Sequence, residues 1–155
     1  MRTDPCAVAP GLVFEPVLNI LGCTTMTDRQ MIVPDGMKLL YDQAGYAPAV
    51  KVGKTLYCAG QVGRTPELLV IADPEQQFLA AWENLRLVLE AGGCDFADVV
   101  EMTTYHVDMH CHMPIFRRVK DEIFPRGICA WTCIGVSELA RPGLLVEIKC
   151  VAVQR

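Results

Sequence analysis

Apolar positions along this chain alternate between two periods, and the changes of period fall at Gly and Pro. From about residue 38 onward this punctuation divides the sequence into discrete elements. Val50-Lys51-Val52 and Thr55-Leu56-Tyr57-Cys58-Ala59-Gly60-Gln61-Val62 read as two strands joined at Gly53-Lys54, because a glycine in a two-residue connection favours a hairpin. Asp73 then offers an N-cap, Pro74 suits the first helical position, and Gln76 completes a capping-box spacing. Phe78, Ala81, Trp82, Leu85, Val88 and Leu89 recur at helical spacing and form one apolar stripe, which Gly92-Gly93 ends. Val99 to Met109 is rich in β-branched and aromatic residues and predicts a strand. A second helix is predicted from near Pro114, with Ile115, Phe116, Val119 and Ile123 on one face, ending at Pro125-Arg126-Gly127. Ile128 to Val136 and Leu144 to Val153 predict two more strands around a loop at Arg141-Pro142-Gly143.

This order predicts an α+β domain, a mixed sheet with two helices on one face. The other face of the sheet is then apolar and uncovered, and oligomerisation is the simplest way to bury it. Composition agrees: 52% of the residues are apolar, and a small lone domain rarely exposes large apolar patches. Residues 1–37 read as an N-terminal extension and 38–155 as the domain. Inside the extension, Ile20-Leu21-Gly22-Cys23 looks superficially like a lipoprotein cleavage box. Pro10, Glu15 and Pro16 break the apolar stretch before it, and the stretch is too short to span a bilayer. Met26 is an alternative start. A cytoplasmic protein with no membrane association is expected.

Charge and ligand chemistry narrow the classes further. A net charge of −4 with no basic run argues against a nucleic-acid partner, whose groove needs clustered Lys and Arg. The eight cysteines include no C-x-x-C pair. Cys58, Cys129, Cys133 and Cys150 lie in apolar strand-like runs, so reduced, buried thiols are expected rather than disulfides. His106, Asp108, His110, Cys111 and His112 crowd together and are all metal-ligand types. Their spacing matches no closed structural zinc pattern, so a solvated turn and no bound metal are expected.

Six segments, in order, resemble one family. They are Tyr46-Ala47-Pro48-Ala49-Val50, Cys58-Ala59-Gly60-Gln61, Trp82-Glu83-Asn84-Leu85 with Leu89-Glu90-Ala91-Gly92-Gly93, Val107-Asp108-Met109, Cys129-Ala130-Trp131-Thr132-Cys133-Ile134-Gly135-Val136, and Gly143-Leu144-Leu145-Val146-Glu147-Ile148. Together, over residues 46–153, they resemble the RidA/YjgF family. The resemblance implies a chorismate-mutase-like α+β fold assembled as a homotrimer, with small molecules bound in clefts between subunits and no cofactor. It also implies enamine/imine deaminase chemistry. In deaminating members a strand arginine clamps the substrate carboxylate, a glutamate on the last strand orients water, and a tyrosine and a strand hydroxyl line the cleft. Carried onto this chain, the glutamate is Glu147 and the tyrosine Tyr46. The hydroxyl position is Ala59, which has none, and the arginine position is Trp131. Cys133 shares the strand face of Trp131, and Gly60 permits a close approach of ligand or backbone.

Trp131 changes the expected chemistry. A guanidinium grips a carboxylate with a rigid fork of donors, whereas an indole offers one N–H and a flat face. Ordinary imino acids are therefore expected to bind poorly, unless Arg126 or Arg141 of the flanking loops supplies a displaced cation. The indole suits stacking on a ring or cation, or filling of the cleft or a subunit interface. Two functions follow: a hydrolase of a reactive enamine or imine with water held by Glu147, or a non-catalytic trimer that binds or senses a small molecule. Ribonuclease activity, also attributed to this family, is disfavoured by the acidic balance.

Overall fold

The computed structural model describes residues 28–124 and 126–155, so the Cys23 segment, Met26 and Pro125 lie outside the described residues. Seven strands and three α-helices are found among them. The strands are β1 (Arg29–Ile32), β2 (Ala49–Val52), β3 (Thr55–Cys58), β4 (Gln61–Val62), β5 (Val99–His106), β6 (Ala130–Gly135) and β7 (Val146–Val153); the helices are α1 (Lys38–Ala44), α2 (Pro74–Ala91) and α3 (Met109–Ile123). One sheet runs β1-β2-β3-β7-β5-β6, and β4 pairs with β7 beyond the end of β3. The pairs are antiparallel except β5–β6. Parallel neighbours need a crossover, and α3 supplies it, which sets α3 beside α2 on one face. The fold is α+β with an open mixed sheet, as expected.

The predicted stripe of α2 forms the core. Phe78, Ala81, Trp82, Leu85, Val88 and Leu89 are buried, with Phe116 and Val119 of α3, against Leu56, Met102, Val146 and Ile148 of the sheet. Trp82 stacks on Phe116 at 6.0 Å between centroids. The predicted N-cap is present: the Gln76 N–H donates to Asp73 Oδ1 at 2.9 Å. None of the described helices is long and apolar enough to cross a membrane.

Four expectations need correction. Residues 29–32, inside the stretch read as an extension, form the edge strand β1, whose Met31 lies opposite Val50. Their burial pattern is exposed except for Ile32, so periodicity gives no signal there. Helix α1 adds a third helix, stopped where Gly45 adopts a left-handed φ of 72° and its N–H returns to the Tyr41 carbonyl. Helix α3 starts at Met109, not near Pro114; β5 ends at His106 and Asp108 turns the chain with φ 47°. Pro114 then sits inside the helix, where its missing N–H deprives the His110 carbonyl, on an exposed residue. Finally, Cys133 is exposed and Cys129 half-buried, because β6 is the edge of the sheet; Cys58 and Cys150 are buried.

The face opposite α2 and α3 carries Met31, Val50, Val52, Tyr57, Val151 and Val153 on its β1–β3 side. Tyr57 is 52% exposed and Met31 57%. Towards β5 and β6 the same face becomes polar, with Glu147, Lys149, Glu101 and Thr103. The uncovered face is thus only half apolar.

Candidate functional site

Strand alternation places Glu147. Val146, Ile148, Cys150 and Ala152 of β7 are buried under the helices, so Glu147 projects from the reverse face. It is half-buried there, and burial raises its carboxyl above the ordinary range, Lys149 only partly offsetting the effect. The stretch expected as one strand from Thr55 to Val62 is broken at Ala59-Gly60 into β3 and β4, both paired with β7. Val62 lies opposite Glu147. A Cβ at Gly60 would overlap the Glu147 carboxylate. Gly60 is therefore the position that leaves room for the acid, a close approach of a side chain rather than of backbone or ligand.

A cavity of about 400 Å³ opens beside this pair. Tyr46, Gly60, Arg64, Arg141 and Glu147 line it, with Leu40, Val62, Leu68, Val70 and Leu144 as apolar wall. Tyr46 is 43% exposed at this cavity. Ala59 does not line this cavity but lies at a second, more open depression that also borders Glu147, with Gly60, Tyr105 and Lys149. Of the two loop arginines considered from sequence, Arg141 reaches the cavity. Arg126 does not line it and pairs with Asp121 at 2.7 Å.

Arg64 was not singled out by sequence. It follows β4, in a loop whose conformation comes from long-range bonds. Asn84 Nδ2 of α2 donates to the Val62 and Arg64 carbonyls at 2.9 and 3.2 Å. The buried Gln77 donates to the carbonyls of Ile71 at 2.6 Å and Gly143 at 2.9 Å, and accepts from the Leu145 N–H at 2.6 Å. The only local hint was a pair of polar residues, Gln77 and Asn84, beside the apolar stripe of α2.

Trp131 and Cys133 sit elsewhere in the chain. Trp131 is opposite Met102, and Cys133 opposite Thr104, on the helix-facing side of the sheet. Glu147 pairs with Tyr105 and points the other way. One chain therefore brings together Glu147, Gly60, Tyr46 and, at the margin, Ala59, but not Trp131 or Cys133. The Trp131 N–H donates to Thr104 Oγ1 at 2.9 Å, and Lys120 Nζ lies 5.1 Å from the indole centroid. The Thr104 hydroxyl also pairs with His106 Nε2 at 2.9 Å, the imidazole tautomer setting which of the two donates. His106 is fully buried, and that burial pushes its pKa down to about 4, so the ring is neutral. The remaining members of the expected ligand cluster are Asp108, just before α3, and three residues of its first turn, with His110 and Cys111 exposed and His112 half-buried against Phe78. Cys133 Sγ lies 3.6 Å from Met109 Sδ.

The fold and cavity define an α+β protein with a half-buried carboxylate on the wall of a small-molecule-sized pocket. A family profile described as Endoribonuclease L-PSP matches residues 38–154. The chain belongs to this family, the RidA/YjgF family. It is 35% identical over 128 residues to RutC family protein YjgH of Escherichia coli K12, covering 82% of this chain and 96% of that protein. A solved structure of protein YjgH superposes with a TM-score of 0.77 at 34% identity, over 82% of this chain and 97% of the other. The 2-iminobutanoate/2-iminopropanoate deaminase of Mus musculus is 35% identical over 111 residues, covering 70% of this chain and 81% of that protein.

Proposed function

We propose that this chain hydrolyses a small enamine or imine in the Glu147 cavity, the carboxylate holding the attacking water and taking its proton. The observation that carries this reading is a half-buried carboxylate on a cavity wall with its pKa raised by burial. Water adds to the C=N carbon while Glu147 accepts a proton. That proton passes to nitrogen to give a carbinolamine; Glu147 then takes the carbinolamine hydroxyl proton and delivers it to the same nitrogen as the C–N bond breaks, so ammonia leaves and a carbonyl remains. Relatives that carry the name 2-iminobutanoate/2-iminopropanoate deaminase support the reaction class.

The reading includes a homotrimer with its clefts between copies. The uncovered Met31–Tyr57 side of the sheet and the exposed edge strand β6 support it. In such an assembly β6 of one copy closes the cavity of the next, so that Trp131 and Cys133 flank the ligand from the neighbour. Trp131, with its single N–H given to Thr104, offers a flat wall there and no carboxylate clamp.

The test is ammonia release from a panel of freshly generated imines. Glu147→Gln is expected to slow release by about 10²-fold or more. The acid limb of the wild-type pH–rate profile should lie above the ordinary carboxylate range. Equal rates in wild type and variant over the whole panel would defeat the reading. The missing hydroxyl at Ala59 favours a second reading, a binding protein without turnover; ligand-induced thermal stabilisation with no ammonia released would establish it.

A further inference from the structure

Two loops far apart in sequence bring one guanidinium each to the same cavity. Arg64 arrives from the loop after β4 and Arg141 from the loop before β7. Helix α2 ties both loops down. Gln77 bonds the carbonyls of Ile71 and Gly143, Asn84 bonds the carbonyl of Arg64 itself, and a Cβ at Gly63 would overlap the Gln77 backbone. Arg141 Nη1 also reaches the Leu68 carbonyl at 3.4 Å.

The two charges are poorly compensated. Burial lowers the Arg64 pKa, Tyr46 opposes that shift, and Arg141 adds to it by repulsion. Neither Arg64 nor Arg141 forms an ion pair with a carboxylate among the described residues. Two guanidiniums held near each other at an apolar cavity, with donors to spare, match an oxyanion.

We infer that Arg64 and Arg141 form an oxyanion-binding subsite of the Glu147 cavity, taking the carboxylate or phosphate of a small, otherwise apolar ligand. This rests on the reading of that cavity as a small-molecule site and names what anchors the molecule there. The anchor is a pair of loop residues, not a residue of β6, and it takes up the displaced-cation alternative that Arg141 offers from the sequence. Leu40, Leu68, Val70 and Leu144 would enclose the apolar remainder of the ligand.

Calorimetric titration with 2-oxobutanoate, the stable keto product of a four-carbon imino acid, and separately with inorganic phosphate tests the subsite. Binding of 2-oxobutanoate is expected to weaken by about tenfold or more in Arg64→Gln and in Arg141→Gln, and to hold in Arg126→Gln, whose side chain does not line the cavity. Arg141 lies in an exposed loop, so Arg141→Gln decides the question should Arg64→Gln fail to fold. Tighter binding of phosphate with the same dependence on both arginines would support the subsite and identify phosphate as the group it takes. Unchanged binding in Arg141→Gln, or no binding of either anion to wild type, would overturn it. Arginine-dependent binding without ammonia release would sink the hydrolysis reading alone; ammonia release indifferent to both arginines would sink the subsite alone.

Discussion

The two faces of the central sheet treat a titratable group in opposite ways. Glu147 of β7 and His106 of β5 both lose solvent, and in both cases burial favours the neutral form. His106 lies at the end of a hydrogen-bond chain from Trp131 through Thr104 and is sealed beneath Phe116, with ring centroids 4.6 Å apart. Glu147 stands on the wall of a cavity, with only the hydrogen of Gly60 where a side chain would otherwise press on it. A shifted pKa is therefore not what distinguishes the candidate site. Access is: one face gives its titratable group a hydrogen-bonded protein neighbour, the other leaves it space for a molecule.

The contrast can be broken first by pH. His106 is neutral in the folded chain down to about pH 4, whereas an unfolded histidine protonates near 6.5. Between those values the unfolded state binds more protons, so stability must fall as pH drops from about 6.5 to 4, by up to ~3 kcal/mol from this residue. Urea midpoints measured across that range should show the loss in wild type and much less of it in His106→Gln. A parallel fall in both proteins would mean that His106 is not sealed.

A smaller effect sharpens the other side. Gly60→Ala should push the Glu147 carboxylate out of its place and lower ammonia release by about tenfold, with little change in melting temperature. A melting point that falls while the rate holds would make Gly60 a folding residue only. The smallest expected effect is Thr104→Val, which strips the indole N–H and His106 Nε2 of their shared partner. It should cost about 1 kcal/mol of stability in denaturant titrations. An unchanged denaturation midpoint in Thr104→Val would mean that the two hydrogen bonds add nothing to the buried face.

Local pattern carried much of this protein. The stripe of α2, its Asp73 cap and the alternation of β7 were legible because each depends on residues within a turn or a strand of one another. Glu147, Gly60 and Tyr46 could be named from motif order, and one chain does gather them at a single cavity. The edge strand β1 was not legible, since three of its four residues are exposed and only pairing with β2 makes it a strand. The start of α3 was misplaced because Pro114 reads as a helix beginning, while the left-handed turn at Asp108 leaves no periodic trace.

The site divides along the same line. Sequence order alone determined that a carboxylate stands on the last strand with a glycine available beside it, because alternation and motif spacing are properties of neighbouring residues. Only the tertiary structure decided that Trp131 faces the helices, that Arg64 and Arg141 share a cavity, and that Arg126 does not. Those facts depend on the register of β6 against β5 and on Gln77 binding groups 66 and 68 residues further along the chain. Such contacts are closed by the packing of α2 on the sheet, and no run of adjacent residues encodes them.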